Sequence, residues 1–352
     1  MSRLFPVFVV FVTSLFVAGA AQAEVKVLTS IKPLQLIAAA VQDGVAVPEV
    51  LLPPGASPHN FALRPSDVRR VQSVDLLYWI GPDMETFLPR VLKGRTAPTV
   101  AVQDLPGMKL RVFGEDSHSH ADEADEHDHD HRPGSVDAHL WLSTVNARVI
   151  AARMAADLSA ADPANAERYQ SNAKAFEERL NALDARLKQR LAGVDGKPYF
   201  VFHEAFDYFE EAYGLKHAGV FSVAAEVQPG AQHVAAMRAR LQEVGQTCVF
   251  SEPPLRPRLA ETLVAGLPVK LAELDENNWL LKQLPGFRKR LASRGKPASG
   301  DSTRLVWNSR PARMARRCMK PRKPWRRCMN NLRIIRTPWR RRKFRTLKPT
   351  PG

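Results

Sequence analysis

With 352 residues, 45% of them hydrophobic, the chain has material for about two domains with real cores and too much apolar content for a wholly disordered protein. Its net charge of +15 misleads if taken whole. Residues 276–352 hold 24 Lys and Arg against two acids, Glu276 and Asp301, so the first 275 residues are net −7, which excludes a basic nucleic-acid-binding surface as the theme of the main body.

The N-terminus has one basic residue, Arg3, an apolar run from Leu4 to Ala20, and the small-x-small sequence Ala21-Gln22-Ala23. That order predicts a secretory signal peptide over 1–23, cleaved after Ala23. Val25 to Leu28 then reads as a strand, Leu34, Ile37, Ala38 and Val41 as one face of a helix, and Val45 to Leu52 as a second strand. A breaker-rich stretch, Pro53-Pro54-Gly55-Ala56-Ser57-Pro58, leaves His59 at a strand's exit. A helix over Asp67 to Val74, a strand over Leu76 to Ile80, and a helix from Pro82 through Val91 with Met84, Phe87, Leu88 and Val91 on one face follow. Alternation of this kind predicts an α/β lobe with a largely parallel sheet over 24–142.

From Ser143 the pattern is helical for about fifty residues, interrupted at Asp162-Pro163, and Tyr169, Ala173, Phe176, Leu180, Leu183, Leu187 and Leu191 recur at three- and four-residue intervals. Residues 143–195 are therefore a helical connector, long enough to run the height of a domain. Alternation resumes over 196–275: strand Tyr199 to Phe202, helix Phe206 to Tyr213, helix Gln232 to Val244, strand Thr247 to Ser251, helix Arg258 to Val264, strand Val269 to Leu274. The expected fold is α/β, two similar lobes with mostly parallel sheets joined by a long rigid helix. Residues 276–352 break every pattern before them: four of six tryptophans and acid-free Arg runs fall there, as in a disordered basic tail or a shifted reading frame.

Metal chemistry is concentrated between Glu115 and His131, where eight carboxylates and five histidines (His118, His120, His127, His129, His131) occur without Lys or Arg. So few apolar side chains cannot offset the entropy of ordering the backbone. The stretch is expected to be a mobile, exchangeable metal collector rather than a fixed site. Three further histidines hold better positions: His59 after a strand, His139 at the start of Asp137 to Leu142, and His203 at the end of a strand, with Asp275 closing the last strand. Separations of 80, 64 and 72 residues mean that any shared site forms only where two lobes face each other, outside the carboxyl ends of parallel strands. Three neutral imidazoles and one carboxylate suit tetrahedral Zn²⁺. His217 and His233 lack such placement and read as structural.

Leu51-Leu52-Pro53-Pro54-Gly55-Ala56-Ser57-Pro58-His59 with Leu63-Arg64-Pro65-Ser66-Asp67, Asp137-Ala138-His139-Leu140-Trp141-Leu142, Phe202-His203-Glu204-Ala205-Phe206-Asp207-Tyr208-Phe209 and Phe250-Ser251-Glu252-Pro253 together resemble the zinc-specific solute-binding proteins of bacterial ABC importers, over Glu24 to Asp275. The resemblance implies a periplasmic, monomeric receptor that is not an enzyme. Its cargo would be Zn²⁺, held in the inter-lobe cleft by His59, His139, His203 and Asp275 or water, and its partner an inner-membrane permease; no nucleic acid is expected. Manganese-binding relatives place a carboxylate at the third position, where this chain has His203, and imidazole there favours Zn²⁺. The resemblance also implies a disulfide partner for Cys248 in a terminal helix; without that helix, Cys248 is expected to be a free thiol or to pair with Cys318 or Cys328. Two other functions fit three histidines: a carbonic-anhydrase-like zinc enzyme, with Glu204 as the only candidate base, and a metal-binding adhesin.

Overall fold

The computed structural model describes residues 24–113, 134–194, 196–222, 230–252 and 257–274. The expected signal peptide, the histidines from His118 to His131, Asp275 and the basic tail lie outside the described residues.

Two four-stranded sheets form the frame. The first holds β1 (Val27–Thr29), β2 (Glu49–Val50), β3 (Leu76–Trp79) and β4 (Thr99–Ala101), in the order β2-β1-β3-β4. The second holds β5 (Tyr199–His203), β6 (Gly219–Ser222), β7 (Thr247–Ser251) and β8 (Val269–Glu273), in the order β6-β5-β7-β8. Every pairing is parallel, and the two orders are the same once the strands of each sheet are counted from its first. Each sheet therefore reverses direction beside its first strand, the place where open parallel sheets leave a crevice at their carboxyl ends. β3 and β5 are buried throughout, as near-continuous apolar runs in parallel sheets are.

Helices cover the sheets: α1 (Lys32–Val41), α2 (Pro65–Ser73) and α3 (Pro89–Leu92) in the first lobe, α6 (Asp207–Tyr213), α7 (Ala231–Val244) and α8 (Pro257–Val264) in the second. Pro33 and Pro65 stand in the first turns of α1 and α2, where a missing N–H costs nothing. The helix expected from Pro82 to Val91 does not form as one piece. Only Pro89–Leu92 is helical, because the Glu85 carboxylate turns back to accept the backbone N–H groups of Ile80 (3.2 Å) and Gly81 (3.0 Å), holding 81–88 in successive turns. Met84 and Leu88 are nonetheless fully buried, so the apolar spacing reported burial correctly and helicity wrongly.

Between the lobes run α4 (Thr144–Ala161) and α5 (Ala166–Leu191). The Ser143 hydroxyl accepts the Asn146 N–H at the start of α4, the usual N-cap arrangement, and Pro163 ends the run. The 26 residues of α5 span about 39 Å at 1.5 Å per residue. Tyr169, Phe176, Leu180, Leu183, Leu187 and Leu191 are all buried along one side, each contributing roughly 1.5–3 kcal/mol of burial. Asn172 donates to the carbonyls of Val41 and Asp43 in the first lobe, and the Tyr213 hydroxyl of α6 donates to Asp184 near the far end. The same helix is thus fixed to both lobes, and one apolar core runs from Leu28 and Ile37 through Phe176 to Tyr199 and Phe250. Cys248, fully buried in β7, is disulfide-bonded, which removes the free-thiol alternative; its partner lies outside the described residues.

Candidate metal centre

His59, His139 and His203 come from three separate parts of the chain and converge. His59 lies in the loop beyond β2, its N–H donating to the Ser57 hydroxyl at 3.2 Å. His139 immediately precedes a 3-10 turn over Leu140–Leu142, and His203 is the last residue of β5. Ring centroids are 5.4 Å apart for His59 and His139, 5.5 Å for His59 and His203, and 4.9 Å for His139 and His203. One ring nitrogen from each lies within 4.8 Å of the others. His139 and His203 are 2% and 1% exposed, so water competes little for their nitrogens from the protein side.

Carboxylates stand behind two of the three rings. Asp137 Oδ1 is 2.9 Å from His139 Nδ1 and also accepts the His139 backbone N–H at 3.0 Å. A carboxylate can only accept, so it fixes the neutral imidazole with its proton on Nδ1 and its lone pair on Nε2. Glu252 Oε2 lies 3.8 Å from His203 Nδ1, a weaker version of the same arrangement. Trp141 packs 5.4 Å from the His139 ring, restricting its rotation from the apolar side. Deeper still is Glu85, wholly buried, whose carboxyl is pushed by burial up to about 7 against the pull of its two backbone donors and of His59.

A second group of donors occupies the neighbouring end of β5. Carboxylate oxygens of Glu204 and Asp207 and an imidazole nitrogen of His217 lie within 4.8 Å of one another. His217 Nδ1 is also 2.9 Å from Glu210 Oε2. Burial and the charges of Asp207, Asp137 and Glu210 push the Glu204 carboxyl up to about 7, with His217 pulling the other way. Burial with Glu210 and Asp137 takes Asp207 to about 6. Burial alone would lower the His217 pKa, but the Glu210 bond and the Asp207 and Glu204 charges outweigh it and hold the ring above its ordinary value. His217 is thus held by Glu210 as a structural histidine can be, with two further carboxylates beside it, whereas His233 lies 3.3 Å from the Val220 carbonyl.

The sequence reading missed Glu85 and the carboxylates behind the rings. Asp137 and Glu252 were in view only as parts of the Asp137-Ala138-His139 and Phe250-Ser251-Glu252-Pro253 motifs, and the two-residue offset from His139 was the available signal for the first.

Comparison with known proteins bears on this geometry. The family model described as ZnuA, zinc-uptake complex component A, periplasmic, matches residues 27–280. The high-affinity zinc uptake system protein ZnuA of Yersinia pestis is 40% identical over 264 residues, 72% of this chain and 83% of the relative. That of Brucella abortus (strain 2308) is 35% identical over 313 residues, 80% and 94% of the two chains. Among solved structures, the crystal structure of ZnuA superposes with a TM-score of 0.62 at 22% identity, covering 77% of this chain and 98% of that one, and so supports the two-lobed fold.

Proposed function

From the premise that this chain belongs to the ZnuA family of periplasmic zinc-uptake components, we propose that His59, His139 and His203 are the residues that hold its Zn²⁺ cargo. The observation that carries this reading is the convergence of the three rings, His203 among them at the carboxyl end of β5, with Asp137 supporting the one that lies between the other two in sequence. Three imidazoles in the neutral form match the borderline-soft character of Zn²⁺ and leave a fourth position for another donor. Asp275 or a water takes that position. In favour of Asp275, the preceding residue, Leu274, donates its N–H to Ser251 at 2.9 Å, one residue from the Glu252 that faces His203.

The rest of the function follows from the nature of the cargo. Ligation requires unprotonated imidazoles, so uptake displaces protons and acidification releases the metal. His118, His120, His127, His129 and His131 act as an accessory, exchangeable store that feeds the fixed centre, and the loaded protein, a monomer exported by cleavage after Ala23, delivers the ion to an ABC-type permease. The division into lobes at 24–142 and 196–275, with 143–195 between them, assigns the centre to the cleft.

Deleting residues 115–131 tests the assignment. Zinc affinity, measured by competition with a chromophoric chelator, is expected to keep one tight site and lose only weak ones; disappearance of the tight site would overturn it. The three-histidine enzyme alternative predicts CO₂ hydration or ester turnover by the zinc-loaded protein, and none is expected.

A further inference from the structure

We infer that Tyr208 is a positioning residue of the metal centre: from α6 in the second lobe its hydroxyl holds Asp137 and, through Asp137, the His139 ring. On the reading that His139 and His203 are zinc ligands, this tie sets two of them relative to each other. Val112 and Val136 meet as an antiparallel bridge between β4 and α4. In antiparallel pairing, opposite residues alternate between pairs that exchange both backbone bonds and pairs that exchange none. Beside the bridge, the Asp137 N–H donates to the Arg111 carbonyl at 2.9 Å, and regular pairing would have the Arg111 N–H return the bond to the Asp137 carbonyl. The Tyr208 hydroxyl stands in that place instead. It accepts the Arg111 N–H at 2.9 Å and donates to the Asp137 carbonyl at 2.8 Å, so a side chain of the second lobe completes a backbone pair that lies outside that lobe.

Arg111 is gripped a second time. One turn further along α6, Glu211 takes its guanidinium, which also lies 4.0 Å from Asp137 Oδ2. Tyr208 and Glu211, three residues apart on one face of the helix, thus hold both the backbone and the side chain of Arg111. On the other side of the tie, Asp137 is 1% exposed and its Oδ1 accepts the backbone N–H of His139 and faces the ring Nδ1. β5 ends on His203 and α6 begins at Asp207, so the segment that supplies one ring also supplies the hydroxyl that anchors the support of another. The two rings stand 4.9 Å apart. Ligands must be held to within about 0.5 Å of productive geometry, and rings from separate parts of the chain keep that spacing only if they are tied close to the site. A phenyl ring at position 208 would fill the same buried space but hold neither backbone group.

Tyr208→Phe tests the tie in the full chain, with zinc as the probe. Zinc affinity in a chelator competition is expected to fall roughly tenfold, the low end for groups behind a ligand, with faster release in a chelator chase. A double-mutant cycle separates positioning from general loss of stability: in the Asp137→Ala background the same substitution is expected to change affinity by less than about twofold, because the carboxylate it positions is gone. Parental affinity in Tyr208→Phe overturns the inference, as does an equal loss in both backgrounds. A measurement on the parent protein needs no variant. If the tie strengthens zinc binding, zinc must strengthen the tie by the same factor, so the Arg111 amide is expected to exchange with solvent roughly tenfold more slowly when zinc is bound, and an unchanged rate overturns the inference. Tight zinc binding that survives His139→Ala overturns the three-histidine assignment and the tie together, whereas its loss there, beside parental affinity in Tyr208→Phe, overturns the tie alone.

Discussion

Asp137 and His139, two residues apart, form a closed unit in which one carboxylate oxygen accepts both the imidazole Nδ1–H and the backbone N–H of the histidine, with both side chains all but removed from solvent. The consequence is a ring whose tautomer and tilt are set before any metal arrives. Replacing Asp137 by Ala frees that ring without touching a donor nitrogen, and outer carboxylates of this type are typically worth 10–100-fold in metal affinity. Asp137→Ala is therefore expected to weaken tight zinc binding by about that factor in a chelator competition. An unchanged affinity would mean that Trp141 packing alone orients His139.

Selectivity should reside in the third histidine. Substituting His203→Glu replaces an imidazole by a harder carboxylate, which favours Mn²⁺ relative to Zn²⁺. Competition between the two metals in the same sample is expected to show the zinc preference reduced by at least about tenfold, with the fold intact by circular dichroism.

Glu85 makes the zinc-free protein sensitive to pH. Its folded carboxyl titrates at about 7, above the ordinary 4.5, so between those values the native state holds a proton that the unfolded chain has lost. Stability is then fully present below pH 4.5 and is lost as pH rises through 7, by at most about 3 kcal/mol. Glu85→Gln, neutral throughout, is expected to lose less stability than the parent between pH 5 and pH 8 in urea titrations. Parallel pH profiles for the two proteins would remove Glu85 as the cause.

Gly81 occupies a backbone conformation (φ +152°) in which an added Cβ would lie 2.0 Å from Gln103 Oε1. Gln103 cannot easily withdraw, because it is 8% exposed and bonded to Asp83 at 2.9 Å. Gly81→Ala is expected to cost about 1–3 kcal/mol in urea unfolding, and the added change Gln103→Ala should return part of it.

The strands β1, β3, β5, β7 and β8 and the helices α4 and α5 could be read from the sequence because their apolar periodicity reflects sustained burial. β4 (Thr99–Ala101) and β6 (Gly219–Ser222) escaped that reading. The run from Pro82 to Val91 failed differently, since its helical spacing surrounds Glu85, and nothing local announces that this carboxylate will bond backwards to Ile80 and Gly81. His59, His139 and His203 were readable as candidates from their places after a strand, at the start of Asp137 to Leu142 and at the end of a strand. Grouping Glu204 and Asp207 with His217 was not, because it depends on a reversal at Gly214 that a single glycine does not specify.

The histidine-rich stretch departs after Phe113 and rejoins at Gly134 through one antiparallel bridge, Val112 to Val136. Hydrogen bonds link Phe113 with Ser135 and Gly134, and Asp137 with Arg111. The two ends of an insertion are thus clamped side by side by the body of the protein, whatever lies between them. Closing a longer segment across such a clamp costs little, about 0.6 kcal/mol per doubling of length. The number of histidines carried there is therefore a quantity that selection can lengthen or shorten almost freely, without disturbing the centre a few residues downstream.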